Sequence, residues 1–425
     1  MIEKKILLLK ATDQNNNPLN RYPGLYLQRT YDQRNWEYGL KSIFSNVLVF
    51  DYYATFVNDG IIKANENIIE IIKKEKPQLL IWPVLAFEIL ESTLQRARSL
   101  KCDTLAFFFD DNFRFEGLSK FYIPYLDYII TCDSINSQKK YTDIGAHAEF
   151  LLNLPSREFF TKKNLSFKYD VSFVGSNILD RFELIKKINN SGINIQTFGV
   201  GWSSGHISTE SMINIFNESK INLNFVKGFG TAYKNNQFKG RIFEICICGG
   251  FLMTEYMPEL ADYFKIDDEI VTFSTAEEAT DKIRYYLKNE VLRQKIASAG
   301  YEKVKNNYSL EKLWHDYFLL INDKKSSRNH LTHIQVTEKS KTLRGRWHLS
   351  MASAYFLEEE KKKCTEHLII ARKYLSFNIE YFILSTLIYF PKFLRKILYR
   401  LYILIVNLLT KNIIIKALKK IKNFI

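Results

Sequence analysis

Short apolar runs alternate with helical hydrophobic patterns over the first 160 residues of the chain. The runs predict β-strands at 5–9, 47–51, 78–82, 104–109, 128–132 and 149–152. Between them, residues 65–75 and 87–100 repeat their apolar side chains with the period of a helix. Strands that alternate with helices predict a parallel sheet covered by helices on both faces.

A second alternating unit follows the first. Its predicted strands lie at 171–174, 193–198, 221–225, 250–254 and 270–273. Its predicted helices lie at 180–190, 209–218, 241–246 and 276–287, and a longer helical pair covers 290–322. Because Pro155 and several polar residues interrupt the pattern at 154–164, we place a domain connection there. The prediction is therefore two α/β domains, at 1–160 and 161–322.

The remaining residues predict a linker at 323–343 and a helical extension at 344–425. Residues 323–340 are polar and rich in turn formers. Residues 344–374 show two amphipathic helices divided near 358–363, and they loosely resemble one tetratricopeptide-like hairpin. Because one such hairpin cannot bury its own apolar face, we expect it to pack on the rest of the protein.

The last 45 residues, 381–425, are apolar, aromatic and basic. They contain nine Lys and Arg residues and no acidic residue. Cations interrupt every apolar run before it reaches the length of a bilayer. This mixture is typical of a helix at an anionic membrane surface. The alternative is a helix packed on the protein with a solvated basic face. No nucleic-acid-binding module accompanies the charge, so nucleic acid is not an expected partner.

Composition and cysteine usage point to a cytoplasmic protein. The formal net charge is +14, and the tail supplies most of it. The five cysteines are scattered, and no second Cys or His pair accompanies Cys246 and Cys248, so we expect neither disulfides nor a metal site. The first residues contain too short an apolar run for a signal peptide. We expect a cytoplasmic location, peripheral on the inner membrane face.

One segment, 239–254, combines a basic helix start, an acidic residue and a double glycine. Lys239 and Arg241 lie where a helix also presents its backbone N–H groups, which suits a diphosphate. Glu244 lies about one turn further on, where a carboxylate can accept hydrogen bonds from a ribose diol. Gly249 and Gly250 allow a tight turn into the next strand. The alternative is that Arg241 and Glu244 form only an ion pair on a helix surface.

Two carboxylates follow the predicted strand at 104–109. Ligands of α/β sheets bind at the carboxyl ends of strands, so Asp110 and Asp111 are candidate general bases for an acceptor hydroxyl. The alternative for Asp111 is a helix cap or an ion pair with Arg114. In the second unit, Gly175 and Ser176 join a strand to a helix, and their backbone is a candidate phosphate site.

Several ordered blocks between 169 and 308 resemble the C-terminal domain of GT-B glycosyltransferases, in the spore-maturation CgeB-like branch. The blocks are Asp170-Val-Ser-Phe-Val-Gly175-Ser, Phe198-Gly-Val-Gly-Trp202, Ser219-Lys-Ile-Asn-Leu-Asn224, Lys239-Gly-Arg-Ile-Phe-Glu244 and Cys248-Gly-Gly-Phe-Leu-Met-Thr254. In addition, Glu244-Ile-Cys-Ile-Cys-Gly looks like the Glu-Ala-x-Ala-Cys-Gly segment of those enzymes. The resemblance implies the GT-B fold, in which two Rossmann-like, doubly wound domains face a cleft.

The resemblance also implies a function and a set of binding residues. The C-terminal domain would hold a nucleotide-diphosphate sugar as donor substrate, with no metal and no tightly bound cofactor. The acceptor would be a glycan, a lipid-linked glycan or a protein, and the N-terminal domain would hold it. The resemblance implies that Glu244 binds the ribose hydroxyls. The full set of candidate donor-binding residues is Gly175, Ser176, Arg181, His206, Ile207, Lys239, Arg241, Glu244, Gly249 and Gly250. The alternatives are that Arg181 is solvated in a first helical turn and that His206 is simply exposed in its loop. The family's usual first glutamate is absent, since Asn236 occupies its position.

Two other functions remain compatible with the sequence. A nucleotide-sugar epimerase of the same fold would need acid and base groups around the sugar, which Asn236 does not favour. A non-catalytic scaffold that binds a sugar nucleotide or glycan would need no acid–base group at all. The polar, tyrosine-containing loop at 12–31 is either an acceptor loop or an ordinary surface loop.

Overall fold

The computed structural model describes residues 1–11, 34–205, 207–226, 238–323, 328–334, 337–375, 378–390, 394, 397–399 and 401. Eleven β-strands within these ranges form two sheets. They are β1 Ile2–Lys10, β2 Phe44–Asp51, β3 Leu79–Pro83, β4 Asp103–Phe108, β5 Tyr128–Thr131, β6 Glu149–Phe150, β7 Tyr169–Val174, β8 Ile195–Phe198, β9 Ser219–Asn224, β10 Leu252–Glu255 and β11 Val271–Phe273.

Both sheets are parallel throughout their described pairs. The first has the strand order β2-β1-β3-β4-β5-β6, and the second has the order β11-β10-β9-β7-β8. In each sheet the chain starts at the strand next to one edge, adds that edge strand and then crosses back to build the rest of the sheet. Both sheets are therefore doubly wound, with connections on both faces.

Helices cover the faces of both sheets and continue beyond the last strand. They are α1 Arg34–Ile43, α2 Tyr52–Asp59, α3 Ile61–Glu75, α4 Glu91–Ser99, α5 Asp111–Arg114, α6 Lys120–Tyr122, α7 Ile135–Thr142, α8 Leu179–Asn190, α9 Thr209–Glu218, α10 Arg241–Ile247, α11 Ala276–Lys288, α12 Glu290–Asn307, α13 Leu310–Asp323, α14 Glu338–Leu357, α15 Lys361–Arg372 and α16 Ile379–Leu387. A π-helix at Phe115–Ser119 joins α5 to α6, and short 3₁₀ helices lie at Ile123–Tyr125 and Pro258–Asp262.

The hydrophobic pattern predicted the strands well and the helices only in part. All eleven predicted strands are confirmed to within three residues at each end. The prediction missed helices α1, α2 and α7 and the short helices α5 and α6. In addition, α14 begins at Glu338, inside the stretch predicted as linker. Thr337 caps this helix, because its side chain accepts a hydrogen bond from the Ser340 N–H. A capping residue in a polar stretch therefore marks a helix start here, not a loop.

One hydrophobic core joins the two sheets. It contains one face of the first sheet, with Ile6, Leu79 and Phe107, together with residues of α9 and α10 from the second half. Helix α13 crosses back to pack on α1, and Trp314 lies with its ring centroid 5.0 Å from that of Trp36. The two halves are thus held together by aromatic packing as well as by the chain connection.

The hairpin of α14 and α15 packs on the first sheet's helices, as its sequence predicted. Met351 and Ala352 are fully buried in the core that α2, α3 and α4 also share. Arg344 of α14 is fully buried as well, and it binds the Glu91 carboxylate. Four rings surround its guanidinium at centroid distances of 4.1–5.6 Å: Phe87, Phe121, Tyr122 and Tyr374. Cation–π contacts therefore stabilise the docked hairpin together with the ion pair.

Over the part of the chain that the structure describes, no helix has both the length and the apolar content required to cross a membrane.

Candidate functional site

A cavity of about 270 Å³ lies between the two halves of the chain, at the carboxyl ends of their strands. Two of its lining residues come from the first half and the others from the second. The lining residues are Asp110, Asn153, Phe173, Val174, Gly175, Ser176, Arg181, Asn224, Phe225, Lys239, Gly240, Arg241 and Glu244.

The position of the cavity follows from the strand order of the second sheet. Strand β7 lies between β8 and β9, and the helices that follow β7 and β9 cover opposite faces. This arrangement leaves a crevice beyond the ends of β7 and β9, which is where doubly wound sheets bind ligands. Gly175 follows β7, and Asn224 ends β9, so both residues line the crevice.

Gly175 allows the chain to turn tightly at the floor of the cavity. A Cβ atom added there would lie 2.6 Å from the Phe173 ring, so a larger residue would force that ring to move. The Gly175 carbonyl accepts a hydrogen bond from the Trp202 indole Nε1 at 2.9 Å. Ser176 comes next, and its carbonyl accepts a hydrogen bond from Arg181 Nη1 at 3.2 Å. Two side chains therefore hold the start of the loop, through the carbonyls of Gly175 and Ser176.

Arg181, in the first turn of α8, is a cation held partly inside the protein. Its guanidinium lies 5.7 Å from the centroid of the Phe173 ring. Burial lowers the pKa of Arg181 to about 10, and the negative charge of Glu255 opposes that change. Arg181 is therefore positively charged at neutral pH, in a place with little water to screen the charge.

Helix α10 brings a second cation and a carboxylate to the cavity. Arg241 Nη1 lies 3.4 Å from Glu244 Oε2, and its guanidinium stacks 5.4 Å from the Phe216 ring centroid. Glu244 is only 3% exposed. The ion pair between Arg241 and Glu244, which was the alternative interpretation of the sequence, is thus present. It lies in the cavity wall and not on a solvated helix surface. The pair leaves the Glu244 carboxylate in the lining, where a ligand hydroxyl can reach it.

The start of α10 touches the first half of the chain directly. A Cβ atom added at Gly240 would lie 3.0 Å from the carbonyl oxygen of Asn153. Asn153 belongs to the connection between the two units, and it also lines the cavity. Glycine at 240 therefore permits the close approach that keeps Lys239 and Arg241 near the domain junction.

Asp110 is the first-half carboxylate that the structure brings to the cavity. It follows β4 with backbone angles φ 62° and ψ 30°, a left-handed conformation that costs a non-glycine residue about 1–3 kcal/mol. Its Oδ1 lies 4.0 Å from Lys239 Nζ. Burial lowers the pKa of Lys239, and the charge of Asp110 opposes that change. Asp110 and Lys239 thus face each other across the junction of the two halves.

Asp111 does not face the cavity, which corrects its candidate role as a general base. It is the first residue of α5, and its side chain is fully buried. Its carboxylate accepts hydrogen bonds from Ser119, from Thr131 Oγ1 at 2.7 Å and from Tyr141 Oη at 2.7 Å. Burial raises the pKa of Asp111, and these donors oppose that change. Because three hydroxyl groups enclose it, the Asp111 carboxylate stabilises the loop and cannot reach an acceptor.

Three other predicted residues lie elsewhere. Gly249 and Gly250 line a separate cavity at the opposite end of α10, beside Lys162. Gly249 adopts a left-handed turn with φ +76°, and a Cβ atom at Gly250 would lie 2.8 Å from Asn222 Nδ2. These glycines therefore shape the turn into β10 and do not touch the candidate site. Ile207 packs against the core that joins the two halves. His206 and Asn236 lie outside the described residues.

The structure adds residues that the sequence interpretation missed. Asp133 follows β5, is 5% exposed, and lies beneath Asp110. Glu255 ends β10, is 7% exposed, and accepts a hydrogen bond from the Val226 N–H at 3.0 Å. The rule that pointed to Asp110, a polar residue at the end of a buried strand, applies to both. Asn153 carried no such signal, because only tertiary packing brings it beside Gly240.

Among the described residues, no group of three or more His, Cys, Asp or Glu side chains is arranged to hold a metal ion. The site is instead a junction of three cationic side chains, from α8 and the start of α10, with the carboxylates Asp110 and Glu244.

Comparison with known structures identifies the architecture. The structure of HepE from Anabaena in complex with UDP-glucose superposes with a TM-score of 0.51, over 76% of this chain and 100% of that one, at 10% sequence identity. HepE in complex with UDP and glucose superposes with a TM-score of 0.50 over the same shares, also at 10% identity. The chain has the GT-B fold. The C-terminal helical region continues beyond its second sheet.

Sequence comparison adds a partial family assignment. Residues 181–318 of this GT-B chain match the family model described as glycosyl transferase-like. The match covers α8 to α13 and therefore includes Arg181, Lys239, Arg241 and Glu244. A glycosyltransferase from Rickettsia africae ESF-5 is 14% identical over 77% of this chain and 99% of its own, with a TM-score of 0.48. No curated protein matches the sequence.

Proposed function

We propose that the protein is a glycosyltransferase that moves a sugar from a nucleotide-diphosphate sugar to an acceptor hydroxyl. The observation that carries this proposal is the cavity itself. The cavity lies beyond the carboxyl ends of β7 and β9. Arg181, Lys239, Arg241 and Glu244 line it from the second half of the chain, and Asp110 lines it from the first half. The family match over 181–318 and the similarity to a UDP-glucose-bound GT-B structure support the same assignment.

Each residue then has a role that its chemistry suits. Arg181, Lys239 and Arg241 would neutralise the diphosphate, which becomes the leaving group, without requiring a metal ion. Glu244 would accept hydrogen bonds from the ribose hydroxyls. Asp110 would take the proton from the acceptor hydroxyl as that oxygen attacks the sugar's anomeric carbon.

We further propose that the enzyme belongs to the CgeB-like branch and transfers a hexose to a glycan, a lipid-linked glycan or a protein. The basis is the resemblance carried by the sequence blocks between 169 and 308, of which the blocks at 170–176, 219–224 and 239–244 contribute residues to the cavity lining. Closure of the two domains on the donor would exclude water and complete the site.

Nucleotide binding is the first test of the proposal. We expect UDP, at about 100 times its dissociation constant, to stabilise the protein by about 2.7 kcal/mol and so to raise its melting temperature. In Glu244→Gln we expect a roughly 10- to 100-fold weaker dissociation constant, because a hydrogen bond to a charged group contributes about 1.5–3 kcal/mol. Thermal-shift titrations with UDP, GDP, ADP, CMP and dTDP measure both effects.

Glu210→Gln is the matched control, because Glu210 lies exposed in the first turn of α9, outside the cavity lining. It should bind the nucleotide like the unaltered protein. If a folded sample shows no shift with any nucleotide, the transferase proposal fails. Turnover of donor without any acceptor, with inversion at the sugar's C2 carbon, would instead identify an epimerase. Binding with no turnover would favour a scaffold.

We also propose that the C-terminal tail brings the enzyme to the cytoplasmic face of a membrane. The described part of α16 exposes Ile379 and Phe382, which are 60% and 66% accessible. Tyr389, just beyond it, is 78% accessible. Residues 381–425 carry nine cations and no acidic group. Apolar side chains next to unopposed positive charge suit an anionic lipid surface.

Vesicle flotation tests the tail. The full chain should float with anionic phosphatidylglycerol vesicles and not with phosphatidylcholine vesicles, and added salt should release it. Deletion of 402–425 should abolish flotation, because it removes five of the nine cations. The deletion must not extend to residue 381, since Leu384 and Leu387 of α16 are buried in the core. Equal flotation by the deleted and full chains would contradict the proposal.

A further inference from the structure

Asp133 is a buried carboxylate directly beneath the candidate base. It follows β5, the strand next to β4, and only 5% of it is exposed. Its Oδ1 accepts the Asp110 N–H at 2.7 Å, and its Oδ2 accepts the Asn112 N–H at 2.9 Å. One carboxylate thus accepts the backbone N–H groups of two residues in the same turn, Asp110 and Asn112.

That turn needs such support. Asp110 has φ 62°, where a side chain crowds the backbone, and a residue stays in this region only when its surroundings hold it there. Two hydrogen bonds to an ionised carboxylate are stronger than two neutral ones. Asn112 is held on its side-chain oxygen as well, by Ser137 Oγ at 3.2 Å.

The same residue also fixes the opposite wall of the cavity. The main-chain carbonyl of Asp133 accepts the Phe238 N–H at 3.1 Å. Phe238 immediately precedes Lys239, whose Nζ lies 4.0 Å from Asp110 Oδ1. Asp133 therefore hydrogen-bonds to the backbone of Asp110 and of Phe238, the residue before Lys239. Its position thus affects the distance between the Asp110 and Lys239 side chains.

We propose that Asp133 is a positioning residue, which holds Asp110 in its left-handed turn opposite Lys239 and so sets the geometry of proton removal. This inference rests on the proposed function, in which Asp110 is the general base. Asp133 itself lies below the cavity and is not among its lining residues.

The charge of Asp133 provides a separate readout. Burial, together with the negative charges of Asp110 and Asp111, raises the pKa of Asp133 to about 7, while the Asn112 and Asp110 N–H groups oppose the change. Above pH 7 both oxygens are free to accept hydrogen bonds. Below pH 7 one oxygen carries a proton, so the hydrogen bonds between Asp133 and the backbone of the turn weaken. Other titratable groups that interact with Asp133 include Lys140, Lys239, Cys132 and Tyr141.

The test compares Asp133→Asn with Asp143→Asn, which alters an exposed carboxylate at the end of α7. The amide that Asp133→Asn introduces can accept only one of the two backbone N–H groups. Release of UDP from UDP-glucose, with water as acceptor, gives kcat and the KM for the donor. We expect kcat of Asp133→Asn to fall roughly 10- to 100-fold, because small misplacement of a reacting group costs about this much. KM and the thermal shift with UDP should not change.

Three further measurements separate positioning from a general structural role. The decline of kcat as pH falls through about 7 should disappear in Asp133→Asn. In the Asp110→Asn background the second substitution should cause no further loss, since a residue that acts through Asp110 has nothing left to position. Hydrogen exchange of the peptide that contains Asp110 and Asn112 should be faster in Asp133→Asn and unchanged in Asp143→Asn.

An unchanged kcat, or losses that add in the double variant, would overturn the proposal. So would unchanged exchange at residues 110–112. These outcomes differ from failure of the proposed function, in which the unaltered protein itself would show no thermal shift with any nucleotide.

Discussion

Replacing Asp110 with Asn should lower kcat roughly 10²- to 10⁴-fold, the usual contribution of a positioned general base. Such a loss corresponds to about 3–5 kcal/mol of the activation free energy. The physical reason is that an amide cannot take up the acceptor's proton, although it has nearly the same shape as the carboxylate. Steady-state release of UDP from UDP-glucose, with water as acceptor, measures the effect.

The donor should still bind to Asp110→Asn, because Asp110 comes from the first half of the chain, whereas Glu244 and Arg181 belong to the second half, which is proposed to hold the donor. The UDP-induced thermal shift of this variant should therefore match that of the unaltered protein. Glu116→Gln is the control, since Glu116 is a solvent-exposed carboxylate shortly after Asp110, with its side chain 58% accessible. A kcat for Asp110→Asn within about threefold of the control would remove Asp110 from the mechanism.

Replacing Arg344 with Ala should destabilise the protein by about 3–5 kcal/mol. The substitution removes the partner of Glu91 and empties a space enclosed by Phe87, Phe121, Tyr122 and Tyr374. Because these four rings come from both the first half and the C-terminal hairpin, the hairpin should also detach more readily. Urea unfolding and limited proteolysis of α14 and α15 measure the two effects.

Arg346→Ala is the matched control for Arg344. Both arginines belong to α14, but Arg346 is exposed to solvent, so its replacement should change the free energy of unfolding by at most about 0.5 kcal/mol. Arg344→Met tests the source of the effect, because an apolar side chain of similar length refills the space and removes only the charge, with its ion pair and cation–π contacts. A loss below about 1 kcal/mol in Arg344→Ala would show that the hairpin docks without the guanidinium.

The fold could be predicted from the chain because parallel strands are buried on both faces. Runs such as 79–82 and 105–108 are apolar throughout, so they stand out from the amphipathic helices between them. The same logic failed at 337–343, where polar residues that are typical of linkers begin α14. Local composition cannot distinguish a polar loop from the solvent-facing first turn of a helix.

The candidate site could be predicted only in part. Residues adjacent along the chain were recovered together, since Lys239, Arg241 and Glu244 share one helix start. The neighbouring carboxylates Asp110 and Asp111 could not be told apart by sequence. The backbone turns at the left-handed Asp110, so that its side chain reaches the cavity while the next carboxylate is enclosed by hydroxyl groups. Those hydroxyl groups belong to Ser119, Thr131 and Tyr141.

Local patterns were enough to predict two α/β units, the cationic start of α10 and the basic apolar tail, because these properties depend on the order of side chains along the chain. The tertiary structure alone decided that Asp110 meets Lys239, that Asn153 meets Gly240, and that Asp133 supports the turn from below. The members of each pair are far apart along the chain. Which side chains meet across such distances depends on strand order and domain packing, and no local pattern of hydrophobic and polar residues encodes it.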